Sequence, residues 1–494
     1  MARRPVPPLV ALGGIVAIGA ALRFATLDGR SLWVDEGWTV ALAKLPLGEM
    51  LDKWHAHEDS PPLFYLLIWG WARLAGTGEV ALRSFSALLG TATIPVAYGV
   101  TTRLSSRRAG LVAALLVAVS ALDVWFSQDA RSYALVVFVT GLSVWAFVRA
   151  LDRPSSGALG GWAVISALAL VSHYFAAFLV AAEALWLLAA HRPEWRRVAS
   201  AAAVPALVLV ALVPLALAQR TSSDPTAPFL SESNVWSRLV QIPAQYVVAF
   251  QPPAQILVSV LAFLAVPVAA WLVLAHTDAL ERRGAGLAAA LGACALLGPL
   301  ALATIPGLDY VLTRYTAAAF IPLVATVAIG IGARRAGALG AVALVWLVAF
   351  SVAIDLVTAN RPKFGHDDWR AAARALGSAS GPRAIVLTPD SGSIVLPVYA
   401  EGARVVKSAV RAAEVDVIGL PPPTRRIGKE PQPPRPPSPA PPSGFVPGGR
   451  REAKTFTLVR YRAARATRLS RSDLESLALA RGDSPSVLLV PAGS

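Results

Sequence analysis

The run Ser31-Leu-Trp-Val-Asp-Glu-Gly-Trp-Thr39 sets two adjacent carboxylates, Asp35 and Glu36, between two tryptophans, Trp33 and Trp38. A carboxylate beside indole rings suits a base held next to a sugar, whose apolar face stacks on an aromatic ring. The same residues also fit an interfacial aromatic belt with solvated acids. A second cluster, His55-Ala-His-Glu-Asp-Ser-Pro-Pro62, places His57, Glu58 and Asp59 just ahead of an apolar stretch. Asp59 or Ser60 can cap a helix beginning there, but four titratable groups within residues 55–59 exceed what a cap requires. Three uses stay open: a divalent cation site, a hold on an acceptor, and assistance to Asp35. The spacing follows no specific metal-ligand signature.

A third constellation is Ser127-Gln128-Asp129-Ala130-Arg131-Ser132-Tyr133, a polar turn between two apolar stretches. A guanidinium matches phosphate oxygens in a bidentate fork, so a lipid phosphate is one natural partner for Arg131. An ion pair with Asp129 is the other. Arg83 and the pair Arg314-Tyr315 add two further arginines at the ends of apolar stretches. His173-Tyr174 occupies a short turn that can line the same cavity, or simply finish a helix. Together these groups suggest an anionic, lipid-linked substrate and a general base.

What must position them is a membrane scaffold. Over 494 residues, 55% are hydrophobic and only 15% charged, with a mean hydropathy of +0.56. A soluble chain carries roughly 25% charge. Apolar stretches occur near 9–27, 82–102, 109–126, 133–150, 158–172, 174–190, 198–218, 254–275, 286–304, 316–333 and 337–357, which at about 20 residues per crossing predicts about eleven transmembrane helices. The formal charge of +15 invites a nucleic-acid partner until the arginines are located. They lie in alternate gaps: Arg3/Arg4, Arg103/Arg107/Arg108, Arg149/Arg153, Arg192/Arg196/Arg197, Arg282/Arg283 and Arg334/Arg335. That is the positive-inside pattern, and it needs no nucleic acid. The amino-terminal stretch reads as an uncleaved anchor, since no convincing small-x-small cleavage site follows it. Cys294 is the one cysteine, which excludes a disulfide framework and a multi-cysteine zinc site.

Parity also settles the apolar segment 61–75. Counting it as a crossing would reverse every later gap, so it is expected to lie along the outer face as an interfacial helix, starting at Pro61-Pro62. The first 357 residues then form a transmembrane domain whose first extracytoplasmic loop is 28–81. The loops at 28–81, 127–132, 173–174, 219–253 and 305–315, and the tail 358–494, fall outside a plasma membrane. The tail reads as a small α/β domain, with strands at 384–388, 404–407, 415–420, 455–461 and 486–490 and helices at 390–400 and 471–480. Its prolines concentrate in 421–447, expected to be a disordered or polyproline-type insertion.

In Leu32-Trp-Val-Asp-Glu36, Asp59-Ser-Pro-Pro-Leu-Phe-Tyr65, Ala81-Leu-Arg-Ser-Phe-Ser86, Phe126-Ser-Gln-Asp-Ala-Arg-Ser-Tyr-Ala134, Thr313-Arg-Tyr315 and Asp367-Asp-Trp-Arg-Ala-Ala-Ala373, the chain resembles the GT-C integral-membrane glycosyltransferases. The branch is that of protein mannosyltransferases and lipid A aminoarabinose transferases, glycosyltransferase family 39. The resemblance implies a sugar donor carried on polyprenyl phosphate, inverting transfer to a glycan, lipid or protein acceptor at the extracytoplasmic face, and no nucleotide-sugar site. Asp35 matches the family's acid in the first outer loop and is expected to be the general base, with Glu36 as the neighbour that tunes it or holds the acceptor. His57, Glu58 and Asp59 form the acceptor or acid cluster. Arg83, Arg131, Arg314 and Tyr315 are expected at the donor phosphate, and Trp33, Trp38, Gln128, Tyr133 and His173 at sugar or lipid. The acid before Pro-Pro departs from familiar members by sitting inside His-Glu-Asp, and the tail lacks a β-trefoil insertion.

The rival class is a polytopic transporter or flippase of lipid-linked sugars, which should carry ionisable residues near mid-helix. By the sequence alone, the acids cluster at the ends of the apolar stretches. The topology itself is testable by cysteine-accessibility labelling at Lys44, Ser106 and Ser380 in a Cys294→Ala background. Positions 44 and 380 should label from outside and 106 only after permeabilisation; outside labelling at 106 would overturn the parity.

Overall fold

The computed structural model describes residues 7–222, 235–250, 255–305, 308–359, 368–379, 381–420, 437–479 and 485–491. It divides into two compact units: Met1–Leu27 with Leu42–Val357, and Asp28–Ala41 with Thr358–Ser494. Residues 28–41, read from the sequence as part of the first outer loop, thus group with the tail.

The regular structure of the first unit is helical throughout its described residues. Seven helices are long and apolar enough to cross a membrane, among them Glu79–Leu104, Tyr133–Asp152 and Ala279–Leu302. Arg107–Ala118 and Ala121–Ser127 are together long and apolar enough for an eighth, and their 57° bend is that of a broken span or a re-entrant loop. Pro8–Phe24, Ser156–Ser172 and Ala176–Ala190 are shorter apolar helices of 15–17 residues. Together these fill the eleven apolar stretches, and the chain is an α-helical polytopic membrane protein. The segment read as an interfacial helix forms Leu63–Ala75, and its own indoles anchor it: Trp69 donates to the Leu45 carbonyl (2.9 Å) and Trp71 to the Ala81 carbonyl (2.8 Å). Helices Leu47–His57 and Val235–Val248 were not anticipated by the hydrophobic pattern.

The bent helix pair explains a buried charge. The helix Arg107–Ala118 begins on Ser106, whose hydroxyl accepts from the Ala109 N–H (3.2 Å), and the chain restarts at Ser120, which accepts from the Asp123 N–H (3.4 Å). At the break the Ala118 carbonyl lies beyond the last regular helical bond and the Val117 carbonyl keeps only a long bond from the Ser120 N–H (3.3 Å), where an apolar medium offers no water. Arg23, fully buried, donates to both (2.9 Å each) and also to the Asp123 carboxylate (2.6 Å) and the Ser127 hydroxyl (3.1 Å). Space for it exists because residues 19 and 90 are glycines. A Cβ on Gly90 would stand 1.9 Å from the Ser127 oxygen, and one on Gly19 would meet Ile94 at 2.3 Å.

A second buried acid lies within the apolar helices. Glu183, fully buried, accepts from the Ser143 hydroxyl (2.6 Å) and the Trp162 indole (2.8 Å), and Ser143 shares a hydrogen bond with Ser166 (2.9 Å). The expectation that acids keep to the ends of the apolar stretches is therefore corrected. Asp123 and Glu183 are tolerated inside because each has dedicated donors.

In the second unit a six-stranded sheet runs in the order β2-β6-β1-β3-β5-β4, with β1 Arg383–Thr388, β2 Arg404–Val405, β3 Val410–Gly419, β4 Val446–Glu452, β5 Thr457–Leu469 and β6 Ser486–Val490. β1 and β3 pair in parallel; the other pairs are antiparallel. Helices Trp369–Leu376, Gly392–Tyr399 and Arg471–Glu475 complete a small α/β unit. Of the proline-rich segment, 421–436 lies outside the described residues, as does Asp367. Its later part differs from a disordered insertion: Phe445 is buried in the sheet's core and Val446 opens β4.

Removing one member of a buried ion pair strands the other and typically costs roughly 3–5 kcal/mol. Arg23→Ala should therefore sharply lower the melting temperature of the detergent-purified protein. The paired replacement Arg23→Met with Asp123→Leu should recover part of the loss. Equal melting points for Arg23→Ala and the parent would show that the helix break is satisfied in another way.

Candidate functional site

In the first unit the polar ends of several helices converge. Glu58, buried after helix Leu47–His57, faces Arg131 in a two-oxygen, two-nitrogen contact: Nη1 to Oε1 at 3.1 Å and Nη2 to Oε2 at 3.2 Å. Arg131 Nη1 also donates to the Tyr65 hydroxyl (2.8 Å) and lies over that ring. Burial pushes the Glu58 carboxyl above its ordinary value, and the Arg131 charge opposes that rise. Asp59, next in sequence, is exposed, and its charge acts on Tyr65, His173, Tyr174 and Tyr315. The stretch 58–60 thus sends one acid inward and leaves the next at the surface.

His173 and Tyr174 form the turn between two apolar helices. The His173 ring stands 6.0 Å from that of Tyr315, which stacks on Phe175 at 5.2 Å, and the Arg314 guanidinium lies 5.2 Å from the Tyr315 ring. Burial, opposed by Asp59 and aided by Arg314, lowers the His173 pKa to about 4, so the imidazole is neutral. Burial first, then the Asp59 charge, raises the Tyr174 hydroxyl above its ordinary value, and that hydroxyl donates to the Gln219 side chain (2.6 Å). Gln219 in turn donates to the Ser60 carbonyl (3.3 Å), which closes the ring of contacts onto the acidic stretch. Tyr133 packs on Phe126 at 5.1 Å and acts electrostatically on Tyr315.

Two of the arginines singled out from the sequence have partners within the protein. The two terminal nitrogens of Arg131 engage Glu58, 73 residues away, because a carboxylate offers the same two-oxygen edge as a phosphate. Arg83 is only 2% exposed, donates to the Leu27 carbonyl (2.8 Å) and stands 4.0 Å from Glu79 one turn earlier on its own helix. Gln128 likewise fastens the turn to the first helix, donating to the Leu22 carbonyl (2.9 Å) and the Thr26 hydroxyl (2.8 Å). Sequence reasoning missed Arg238, which pairs with Asp309 (Nη1 to Oδ1, 3.0 Å) and joins helix Val235–Val248 to the 308–311 segment. Its signal was available as an arginine in a gap assigned to the outer face.

Asp35 and Glu36 open the helix Val34–Lys44, where acids favour the positive helix end. Glu36 is 1% exposed, whereas Trp33, Asp35 and Trp38 are half-buried. His55 and His57 are exposed at the end of their helix. Among the described residues, no group of three or more His, Cys, Asp or Glu side chains is arranged to hold a metal ion.

Residues 59–217 match the dolichyl-phosphate-mannose-protein mannosyltransferase family, so the resemblance to the GT-C glycosyltransferases rests on a continuous third of the chain. No curated protein matches the chain. Among solved structures it is similar to the oligosaccharyltransferase AglB of Archaeoglobus fulgidus, in complex with an inhibitory peptide and a dolichol-phosphate, at 13% identity and a TM-score of 0.45, over 74% of this chain and 57% of that one. It spans little more than half the length of that enzyme. ArnT of Cupriavidus metallidurans bound to undecaprenyl phosphate is similar at 15% identity and a TM-score of 0.37, over 80% of this chain and 96% of that one. The arabinosyltransferase EmbB of Mycobacterium smegmatis is similar at 12% identity and a TM-score of 0.45, over 91% of this chain and 48% of that one.

The His173 environment predicts a pH dependence. Between its ordinary value of 6.5 and about 4, the unfolded chain binds a proton there that the native state does not. Stability is therefore complete above about 6.5 and is lost as pH falls toward 4, by an amount on the order of 3 kcal/mol at about 1.4 kcal/mol per unit. Thermal melts from pH 7.5 to 4 should steepen below 6.5, and His173→Gln should flatten that slope. An unchanged slope in the variant would assign the acid sensitivity to other groups.

Proposed function

We propose that this protein transfers a sugar from a polyprenyl-phosphate carrier to a glycan, lipid or protein acceptor at the extracytoplasmic face of the plasma membrane, with inversion at the anomeric carbon. The observation that carries the reading is the family match over 59–217, a stretch that includes Asp59, Tyr65, Arg131, Tyr133 and His173. In this reading the acceptor oxygen attacks the anomeric carbon as the bond from that carbon to the carrier phosphate oxygen breaks. Polyprenyl phosphate leaves with the bonding pair, and Asp35 takes the acceptor proton. Glu36, buried beside it, holds the pair in place or tunes its proton affinity.

Arg314 and Tyr315 are the proposed partners of the carrier phosphate, with Arg131 held behind the acidic stretch by Glu58 and Tyr65. A positive group so placed stabilises charge growing on the leaving phosphate, and deleting one usually lowers the rate on the order of 10²–10³-fold. Asp59, with His57, is placed at the acceptor, while Trp33, Trp38, Gln128, Tyr133 and His173 line sugar or lipid. Residues 1–357 are proposed as the transferase domain and 358–494 as an extracytoplasmic domain, following the arginine parity. A transporter reading would draw on Glu183, but that carboxyl is enclosed by Ser143 and Trp162 and fully buried.

The test is a membrane assay with a panel of radiolabelled polyprenyl-phosphate hexoses and pentoses, comparing the parent with Asp35→Asn. The variant keeps the shape but cannot accept a proton, so turnover per folded molecule should fall by about two to four orders of magnitude, with donor binding near parental. Glu36→Gln should fall less. Retention of more than about a tenth of parental turnover by Asp35→Asn lies outside the range for a lost base, and the role would pass to the acidic stretch at His57-Glu58-Asp59.

A further inference from the structure

The segment that delivers Asp35 and Glu36 has little secondary structure of its own. Residues 29–33 form neither helix nor strand, so their backbone groups depend on partners from elsewhere. Those partners come from two short helices more than 330 residues further along the same unit. Arg370 donates through Nη1 to the Asp28 carbonyl (2.6 Å) and through Nη2 to the Arg30 carbonyl (2.8 Å), while its backbone N–H donates to the Ser31 hydroxyl (3.1 Å). Tyr399 accepts the Leu32 N–H at its hydroxyl (2.8 Å). At Gly37, directly after Glu36, a Cβ would stand 2.9 Å from the Val395 side chain, so the start of the catalytic helix lies flush against helix Gly392–Tyr399.

These two helices are themselves rigidly held. Trp369 is fully buried against Gly392, where a Cβ would come within 2.1 Å of the indole. The Asp368 side chain accepts from the Ala371 N–H (3.1 Å) and caps the helix start. At its other end Arg460 donates to the Leu376 carbonyl (2.6 Å) and Arg383 to the Gly377 carbonyl (2.9 Å). The same two guanidinium groups are locked to Glu414 and Asp416 on β3, at 2.7–3.1 Å. Burial pushes the Asp416 carboxyl up, opposed by Arg460 and Arg383, so this is a charged network inside the unit.

We propose that helices 369–376 and 392–399 are a clamp that sets the position of the Asp35–Glu36 segment, with Arg370 and Tyr399 as positioning residues for the transfer reaction. The proposal rests on the reading of Asp35 as base. A base works only within hydrogen-bond reach of the proton it takes, and a displacement of about 1 Å can cost on the order of 10²-fold in rate. Arg370 suits this task because a planar fork holds two carbonyls at once; a lysine ammonium at the end of a flexible stem fixes neither direction.

The experiment uses full-length, detergent-purified protein carrying Arg370→Ala, Arg370→Lys or Tyr399→Phe, read by hydrogen exchange and by turnover on the radiolabelled polyprenyl-phosphate panel. Loss of one hydrogen bond corresponds to roughly a five- to tenfold change in an opening equilibrium, so peptides covering 28–37 should exchange about that much faster. Peptides from β3 and β5 should not change. Turnover should fall by about 10–100-fold in Arg370→Ala with KM for the donor within twofold, and less in Arg370→Lys. Unchanged exchange over 28–37 in all three variants overturns the clamp, and so does acceleration spread equally over the sheet. Faster exchange with parental turnover overturns the positioning role, provided Asp35→Asn is inactive. If Asp35→Asn is itself fully active, the base reading has failed, and the clamp stands or falls on the exchange data alone.

Discussion

A broken helix inside an apolar bundle leaves carbonyls short of their regular helical donors where no water can replace them, and much of the first unit's polar architecture follows from how this chain meets that demand. The break between Ala118 and Ala121 is closed by Arg23, whose donors serve three carbonyls, a carboxylate and a hydroxyl at once. Asp123 makes the arginine tolerable, and the arginine makes the break tolerable. The helix Ala121–Ser127 then delivers Gln128 to the first helix and the turn beyond it to Glu58. A change at Arg23 is thus felt first as lost stability and only then at the polar ends.

The acidic stretch shows how two adjacent residues of similar chemistry divide their work. Glu58 is buried and committed to Arg131 and Tyr65, which fixes the loop that carries it. Asp59 stays at the surface, where its charge reaches His173, Tyr174 and Tyr315. Burial pushes the Glu58 carboxyl above its ordinary value, but both its oxygens are already taken up by the Arg131 guanidinium. The exposed neighbour is the freer of the two to meet a substrate.

Apolar length was readable directly: each of the eleven stretches is occupied by helix, and strands β1, β3, β5 and β6 lie where alternating or continuous apolar residues placed them. What failed was anything that depends on a single residue inside an average. Arg23 and Asp123 vanish in a hydropathy window of about 20 residues, although opposite charges in two apolar stretches were a usable signal. The Glu58–Arg131 pair spans 73 residues, a separation at which no local spacing signals a contact. β4 went unread because Val446–Glu452 is exposed along its whole length, with Pro447 and two glycines, and so shows no alternation. The helix Trp369–Leu376 has eight residues, too few for a period to emerge, yet it holds the residue that grips the Asp35 segment.

Acids within membrane helices ordinarily mark an ion or substrate path, and among the described residues Asp123 and Glu183 are two that are fully buried. Their partners argue for another use. Asp123 is enclosed with Arg23 at the helix break, where the pair substitutes for missing backbone hydrogen bonds. Glu183 meets neutral donors only, the Ser143 hydroxyl and the Trp162 indole, and Ser143 extends the contact to Ser166, so one carboxyl links helices Tyr133–Asp152, Ser156–Ser172 and Ala176–Ala190. A transport path requires acids that trade partners with water or cargo as the path opens. Both acids here are fully buried, and both are built into joints between helices. Moving either one would separate the elements it holds, which suits a scaffold that keeps the polar ends in fixed register better than one that alternates between two openings.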